Sequence, residues 1–330
     1  MTGAIHERLT QYNDLKREIL LDPVNPDAYI NLADFYWSNY SFEASARTCL
    51  SCLHLRPYPS GSCLSESASF SNLKVVLSCG GRGARWGDFM GISKQLVDCG
   101  DGVPLIQRTL NQFSKRLSGA RFYILIGEDQ GKDFVRIKGC QQLIRHHSSG
   151  SHLCIEVFGC QVSGELRDSD ILLLHGDVYF SDDALDRIEE CCIGLGGVKS
   201  FGRKNANSKY RNNYGEVFGW FVRKEMVSQI FDWSRLAADL YIGSPLFRQS
   251  AWEVISLMSW ARKQGIESAD VFRRTGISPI DACMGVLKTF ERKDFDESLW
   301  VDIDDYTEDF DFPIEYLTRL RLLVERMRSN

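Results

Sequence analysis

The stretch Val75–Lys94, VVLSCGGRGARWGDFMGISK, constrains this chain more than any other. An apolar run from Leu73 to Leu77, broken only by Lys74, leads directly into Gly80, Gly81 and Gly83. Such a run bounded by glycine predicts a buried strand. Glycines tolerate positive φ and carry no Cβ, so successive N–H groups can turn inward around phosphate oxygens. Arg85 and Lys94 place positive charge on either side of that cradle. A glycine-rich turn joining strand to helix, with no ligand, is the alternative. Two familiar loops are excluded. The dinucleotide fingerprint needs a third glycine where this chain has Trp86, and the P-loop needs Gly-Lys-Ser/Thr, which is absent.

The chain has 330 residues, enough for one large or two modest domains with a sizeable core. Its net charge of −5 argues against nonspecific nucleic-acid binding. No apolar run is long enough to span a bilayer, and the start MTGAIHERLTQYND is too polar for a signal peptide. Without a secretion signal, the 11 cysteines read as free thiols in a reducing, cytoplasmic setting. Cys49 and Cys52 form a C-x-x-C with no second ligand pair and read as helix packing, and Cys191-Cys192 reads as a helix end. His146, His147, His152 and Cys154 lack the spacing of a structural zinc site.

Residues 1–57 read as helical and internally repeated. Leu20-Leu21-Asp22-Pro23 is echoed by His54-Leu55-Arg56-Pro57, with the two prolines 34 positions apart, and this spacing resembles the tetratricopeptide repeat. Asn25 can cap a helix with Pro26 in its first turn. A plain helical hairpin is the alternative. One repeat cannot bury its apolar face alone, so the helices must pack on the main domain or on another chain. The proline-, glycine- and serine-rich run from Arg56 to Ser71 reads as a linker, giving a helical segment over 1–65 and a larger domain over 66–330.

In that larger domain strands and helices alternate, which predicts an α/β fold on a mixed, mostly parallel sheet flanked by helices. Pro104–Leu117 reads as a helix, Arg121–Gly127 as a strand, and Leu153–Phe158 as a possible further strand. Asp170–Ser181, DILLLHGDVYFS, reads as a buried strand that ends at Asp177. Ligands of open α/β sheets gather at the carboxyl ends of strands, where a lone carboxylate suits Mg²⁺; a turn aspartate is the alternative. Val198–Phe201 and Gly215–Val222 are further strand candidates. The basic loop between them offers Arg203 and Lys204 to a phosphorylated acceptor, and Glu216 to one of its hydroxyls; a surface loop and a strand-edge glutamate are the alternatives. Residues 228–295 read as largely helical, with Trp233, Phe247, Trp252, Trp260 and Phe272 forming a separate small core or a subunit interface. Alternation in Trp300–Asp305 places Asp302 and Asp304 on one face of a short strand, where a cation or solvent must relieve their repulsion. Tyr306–Asp309 reads as an acidic helix start.

Taken together, Gly81-Arg82-Gly83-Ala84-Arg85, Ser93-Lys94-Gln95-Leu96, the His175-Gly176-Asp177 strand end and Asp302-Ile303-Asp304 resemble, in order, the motifs of sugar-phosphate and phosphocholine-type nucleotidyltransferases. The resemblance implies the sheet-centred fold of nucleotide-diphospho-sugar transferases. It implies transfer of a nucleotidyl group from CTP, UTP or dTTP to a phosphorylated sugar or small alcohol, with release of pyrophosphate. It also implies residue roles. Gly80, Gly81, Arg82 and Gly83 would cradle the triphosphate, Arg85 and Lys94 would stabilise charge at the α-phosphate, and Asp177 with Asp304 or Asp302 would hold Mg²⁺. A metal-dependent glycosyltransferase of the same fold and a noncatalytic nucleotide-binding adaptor are the rival readings. The expected partners are a nucleoside triphosphate and a phosphorylated acceptor, not nucleic acid, with self-association or a protein partner through the N-terminal helices.

Overall fold

The computed structural model describes residues 2–55, 69–79, 86–87, 89–127, 130–145, 166, 168–194, 196–204, 215–241 and 251–329. Three helices come first: α1 (Thr2–Leu21), α2 (Pro26–Ser38) and α3 (Phe42–Leu55). Asn25 caps α2, its side chain accepting from the Asp27 N–H at 3.0 Å. The remainder alternates. β1 (Leu73–Ser78), α4 (Leu105–Arg116), β2 (Arg121–Gly127), β3 (Gln141–Arg145), β4 (Asp170–His175), β5 (Val178–Tyr179) and α5 (Asp182–Ile193) are followed by β6 (Val198–Arg203) and β7 (Glu216–Val222). Helices α6 (Val227–Tyr241), α7 (Ala251–Lys263), α8 (Ala269–Arg274) and α9 (Pro279–Arg292) then lead to β8 (Trp300–Asp302), β9 (Glu308–Asp309) and α10 (Pro313–Ser329).

Seven strands form one sheet in the order β3-β2-β1-β4-β7-β6-β8. The β1/β2, β1/β4, β2/β3 and β6/β8 pairs are parallel, whereas β7 runs antiparallel to both β4 and β6. The sheet is therefore mixed and mostly parallel, as the alternation of elements predicts. Successive side chains on a strand point to opposite faces, and the core divides accordingly. Val75, Leu77, Ile124, Leu172 and Leu174 pack with Ile106, Phe113, Leu185 and Ile188 of α4 and α5. Val76, Tyr123, Leu173 and Trp220 pack on the other face with Trp233, Val254 and Val286 of α6, α7 and α9.

Two expectations are corrected. The aromatics of 228–295 do not form a separate cluster: Trp233 and Phe272 share one core with the sheet residues Trp220 and Val222, and Trp252 and Trp260 pack against it. Phe247 lies outside the described residues. Tyr306–Asp309 does not begin a helix. Glu308 and Asp309 form β9, which pairs antiparallel with β5, and the helix starts at Pro313. Phe310 drives this local choice, because it is fully buried and must face inward between two acidic positions. The strand expected over Leu153–Phe158 and the clustered His146, His147, His152 and Cys154 lie outside the described residues.

The N-terminal helices pack on the larger domain. Ala33, Ala46, Cys49, Cys52 and Leu53 share a core with Trp86, Val97, Tyr316, Leu320 and Val324. Helix α3 also reaches the segment after the glycine loop: Glu43 Oε1 accepts from Met90 N–H at 3.0 Å, and His54 Nε2 lies 2.6 Å from Asp98 Oδ2. A Cβ at Gly100 would stand 2.6 Å from Leu53 Cδ1, so Leu53 and the turn at 100 are in tight contact. Leu53 is 1% exposed, and truncating such a leucine costs about 2–5 kcal/mol. Leu53→Ala should therefore lower the denaturant midpoint of the whole chain in a single transition followed by tryptophan fluorescence. A separate early transition that leaves the main one unchanged would show that α1–α3 fold independently of the sheet domain.

Candidate active site

The carboxyl ends of β1 and β4 lie side by side, and they set the site. Gly176 N–H donates to Ser78 O at 2.8 Å. A Cβ on Gly176 would stand 2.5 Å from Cys79 Sγ and 2.8 Å from Ser78 O, so only glycine permits this approach. Cys79 follows β1 and is the last described residue before the glycine-rich sequence, and His175 and Asp177 flank Gly176.

Pairing of β5 with β9 brings a distant segment to the same place. Val178 faces Asp309 in the register, and Phe310 N–H donates to Asp177 O at 3.0 Å. Glu216 opens β7, the neighbour of β4. Glu216, Asp309 and Asp311 each offer a carboxylate oxygen within 4.8 Å of the other two. Lys94, in a short 3₁₀ turn, points into the same region. Its Nζ lies 2.5 Å from Asp177 Oδ2 and 2.9 Å from Asp311 Oδ1.

The electrostatics follow from this crowding. Burial and the charges of Asp311, Glu308 and Asp177 push Glu216 from 4.5 to about 8, although Arg203 opposes the shift. Burial, then Glu216 and Asp177, drive Asp309 well above the ordinary carboxylate range. Asp177 moves the other way: burial would raise it, but Lys94 and His175 outweigh burial and hold it low. Burial would lower Lys94, yet Asp177 and Asp311 hold it above its usual value. Asp309 is 6% exposed, and its Oδ1 is buried with no hydrogen-bond partner among the described residues. A buried oxygen of this kind is costly unless something binds it. A cation fits the donor set, because three clustered carboxylates with one unpartnered oxygen match the hard, all-oxygen coordination that Mg²⁺ and Ca²⁺ take.

Several residues singled out from the sequence meet here. Lys94, Asp177 and Glu216 converge. Gly80, Gly81, Arg82, Gly83 and Arg85 lie outside the described residues. Asp302 and Asp304 are exposed, with the intervening Ile303 buried. Asp302 Oδ1 accepts from Lys204 N–H at 3.0 Å and from Trp300 Nε1 at 3.2 Å, so its carboxylate closes the β6/β8 edge. Arg203 is 1% exposed; it donates to Glu308 Oε1 at 3.1 Å and to Thr307 O at 2.9 Å, fixing β9 against β6. Ser181 caps α5 by accepting from Ala184 N–H at 2.9 Å. Sequence reasoning missed Asp309 and Asp311. The available signal was the alternation Asp309-Phe310-Asp311, with the same acid–apolar–acid pattern as Asp302-Ile303-Asp304.

No family model and no curated protein matches the chain. Similar solved structures are nucleotidyltransferases. CTP:phosphocholine cytidylyltransferase from Streptococcus pneumoniae is 14% identical over 78% of this chain and 99% of its own, with a TM-score of 0.41. Inositol-1-phosphate CTP transferase from T. maritima is 14% identical over 78% of this chain and 97% of its own, with a TM-score of 0.44. UDP-glucose pyrophosphorylase complexed with UDP-glucose is 11% identical over 77% of this chain and 98% of its own, with a TM-score of 0.42. No described helix is long and apolar enough to cross a membrane.

The raised Glu216 makes stability depend on pH. The folded-state value lies above the unfolded one, so the folded chain binds more protons between pH 4.5 and about 8. The contribution of Glu216 is full below pH 4.5 and is lost as pH rises through about 8. With a chelator present, the melting temperature should fall across that window, and Glu216→Gln should flatten the fall. An identical pH profile for the variant would show that Glu216 ionises freely in the folded chain.

Proposed function

We propose that this chain is a metal-dependent nucleotidyltransferase. In this reading it moves a nucleotidyl group from CTP, UTP or dTTP to a phosphorylated sugar or small alcohol and releases pyrophosphate. One observation carries the reading: Lys94, Asp177 and Asp311 converge at the carboxyl end of β1, where the glycine-rich sequence Gly80–Gly83 begins. Transfer at phosphorus needs charge neutralisation and in-line positioning more than a covalent group, and a buried lysine with buried carboxylates suits that need.

The sequence resemblance supplies the roles around the triphosphate: Gly80, Gly81, Arg82 and Gly83 would cradle it, and Arg85 and Lys94 would stabilise the charge that develops at the α-phosphate and on pyrophosphate. Asp177, Asp311, Asp309 and Glu216 would hold Mg²⁺, which would supply charge neutralisation at the phosphates and so ease the approach of the anionic acceptor. In this reading Asp309 and Asp311 replace Asp302 and Asp304 as metal ligands, because Asp309 is buried and Asp311 half-buried in the group beside Asp177, whereas Asp302 and Asp304 are exposed. Glu216 belongs to this group and pairs in the sheet register with Arg203 at the end of β6, with Lys204 the next residue, and Glu216 and Lys204 would meet the acceptor. Arg203 serves the site through Glu308, by fixing β9. The cytoplasm, with its nucleotide and Mg²⁺ pools, is the compartment in which this reaction would run.

The purified chain should release pyrophosphate only when triphosphate, Mg²⁺ and a phosphorylated acceptor are all present. Asp311→Asn should lower turnover by at least about 10²-fold, the scale of losing one preorganised electrostatic contact, while Asp304→Asn should change it little. Sugar transfer from a nucleotide-sugar, with no pyrophosphate from any triphosphate, would instead identify a glycosyltransferase.

A further inference from the structure

Lys94 occupies an unusual position for a residue meant to meet substrate. It is 7% exposed, and its ammonium is held between two carboxylates from different parts of the chain, at 2.5 Å from Asp177 and 2.9 Å from Asp311. Asp311 belongs to the cluster with Glu216 and Asp309 that could hold a divalent cation, and Asp177 is assigned to the same cation in the reading above. Mg²⁺ demands oxygen ligands at about 2.0–2.1 Å in near-octahedral geometry. An ammonium seated on these two carboxylates competes with such a cation for their charge and repels it at close range. Yet the buried group needs a positive charge when metal is absent, because uncompensated buried carboxylates are strongly destabilising.

Resting on the metal-dependent reading above, we infer that Lys94 is the resident counter-ion of the cation site. It holds Asp177 and Asp311 together in the metal-free protein and leaves them when a divalent cation binds. The long, flexible lysine stem permits this exchange without a backbone change. The ammonium released from the carboxylates is then available to the phosphates, so metal loading and the arming of Lys94 are one event. The Oδ1 of Asp309 supports the exchange: Lys94 pairs with Asp177 and Asp311, and this third carboxylate oxygen has no hydrogen-bond partner among the described residues.

The exchange has a measurable consequence. A ligand whose site is open only a fraction of the time binds more weakly by that fraction. If Lys94 is seated nine-tenths of the time or more, removing it should tighten metal binding at least about tenfold. Mn²⁺ titration of the full chain without nucleotide, read from the electron paramagnetic resonance signal of free Mn²⁺, gives the affinity directly. Lys94→Met should bind Mn²⁺ at least about tenfold more tightly than the unaltered chain, and should melt at lower temperature without metal but recover with it. Lys94→Arg should stay near the unaltered affinity, and Asp311→Asn should lose binding. Where Lys94→Met does not fold without metal, Lys94→Gln gives the same test with one carboxylate contact kept. Unchanged or weaker Mn²⁺ affinity in Lys94→Met and Lys94→Gln, with binding still lost in Asp311→Asn, would overturn the inference and leave the metal site standing. Mn²⁺ binding unaffected by Asp311→Asn would remove the metal site itself, and the inference with it.

Discussion

The ion pairs of Lys94 with Asp177 and Asp311 tie three distant parts of the chain together at one end of the sheet. Asp177, Glu216, Glu308, Asp309 and Asp311 meet at one end of the sheet, largely out of water. Like charges in such a place cannot all ionise without compensation. Among the described residues, Lys94 pairs with Asp177 and Asp311, Arg203 pairs with Glu308, and Arg319 adds positive charge near Glu308. What they leave uncompensated appears at Glu216 and Asp309, whose carboxyls are pushed upward. A stable fold does not need this arrangement. A nonpolar end to the sheet would be cheaper, because replacing buried ion pairs by apolar packing is often neutral or stabilising. The proposed reading accounts for this charge as a site for a divalent cation among phosphates.

The architecture serves the convergence. Residues 94, 177, 216 and 311 are far apart in the chain, and each is delivered by a different device. The Gly176 contact with Ser78 and Cys79 locks the ends of β4 and β1 together. The β5/β9 pair carries Asp309 and Asp311 to Asp177. Trp86 and Val97 anchor the segment that carries Lys94 in a core shared with α10 and the N-terminal helices. Helix α3 touches that segment at Met90 and Asp98, so the helical extension is a brace for one wall of the site and not only an appendage.

The strands and helices of the larger domain were largely legible in the sequence, because apolar runs such as Ile171–Leu174 and the apolar face of α4 carry their period openly. Lys94 and Asp177 were legible for the same reason: each sits just beyond a readable punctuation, a glycine-rich turn or a strand end. The acidic partners were not. Asp302-Ile303-Asp304 and Asp309-Phe310-Asp311 show the same alternation, and pattern alone cannot say which pair turns inward. Tertiary pairing decides it. Asp302 is drawn to Lys204 N–H and Trp300 at the sheet edge, while Phe310 buries itself and leaves its acidic neighbours beside Asp177. Arg203 was misleading for a related reason, since a basic residue next to a polar loop reads as exposed when its partner, Glu308, lies a hundred residues on.

The central claim is that Asp177 and Asp311, with Asp309 and Glu216, form the cation site on which catalysis turns. Anomalous diffraction from crystals grown with Mn²⁺ and a non-hydrolysable triphosphate locates the ion without reference to activity. A manganese peak within coordination distance of Asp177 and Asp311, and away from Asp302 and Asp304, is the predicted result. A peak at Asp302 and Asp304, or none near Asp177, would contradict it.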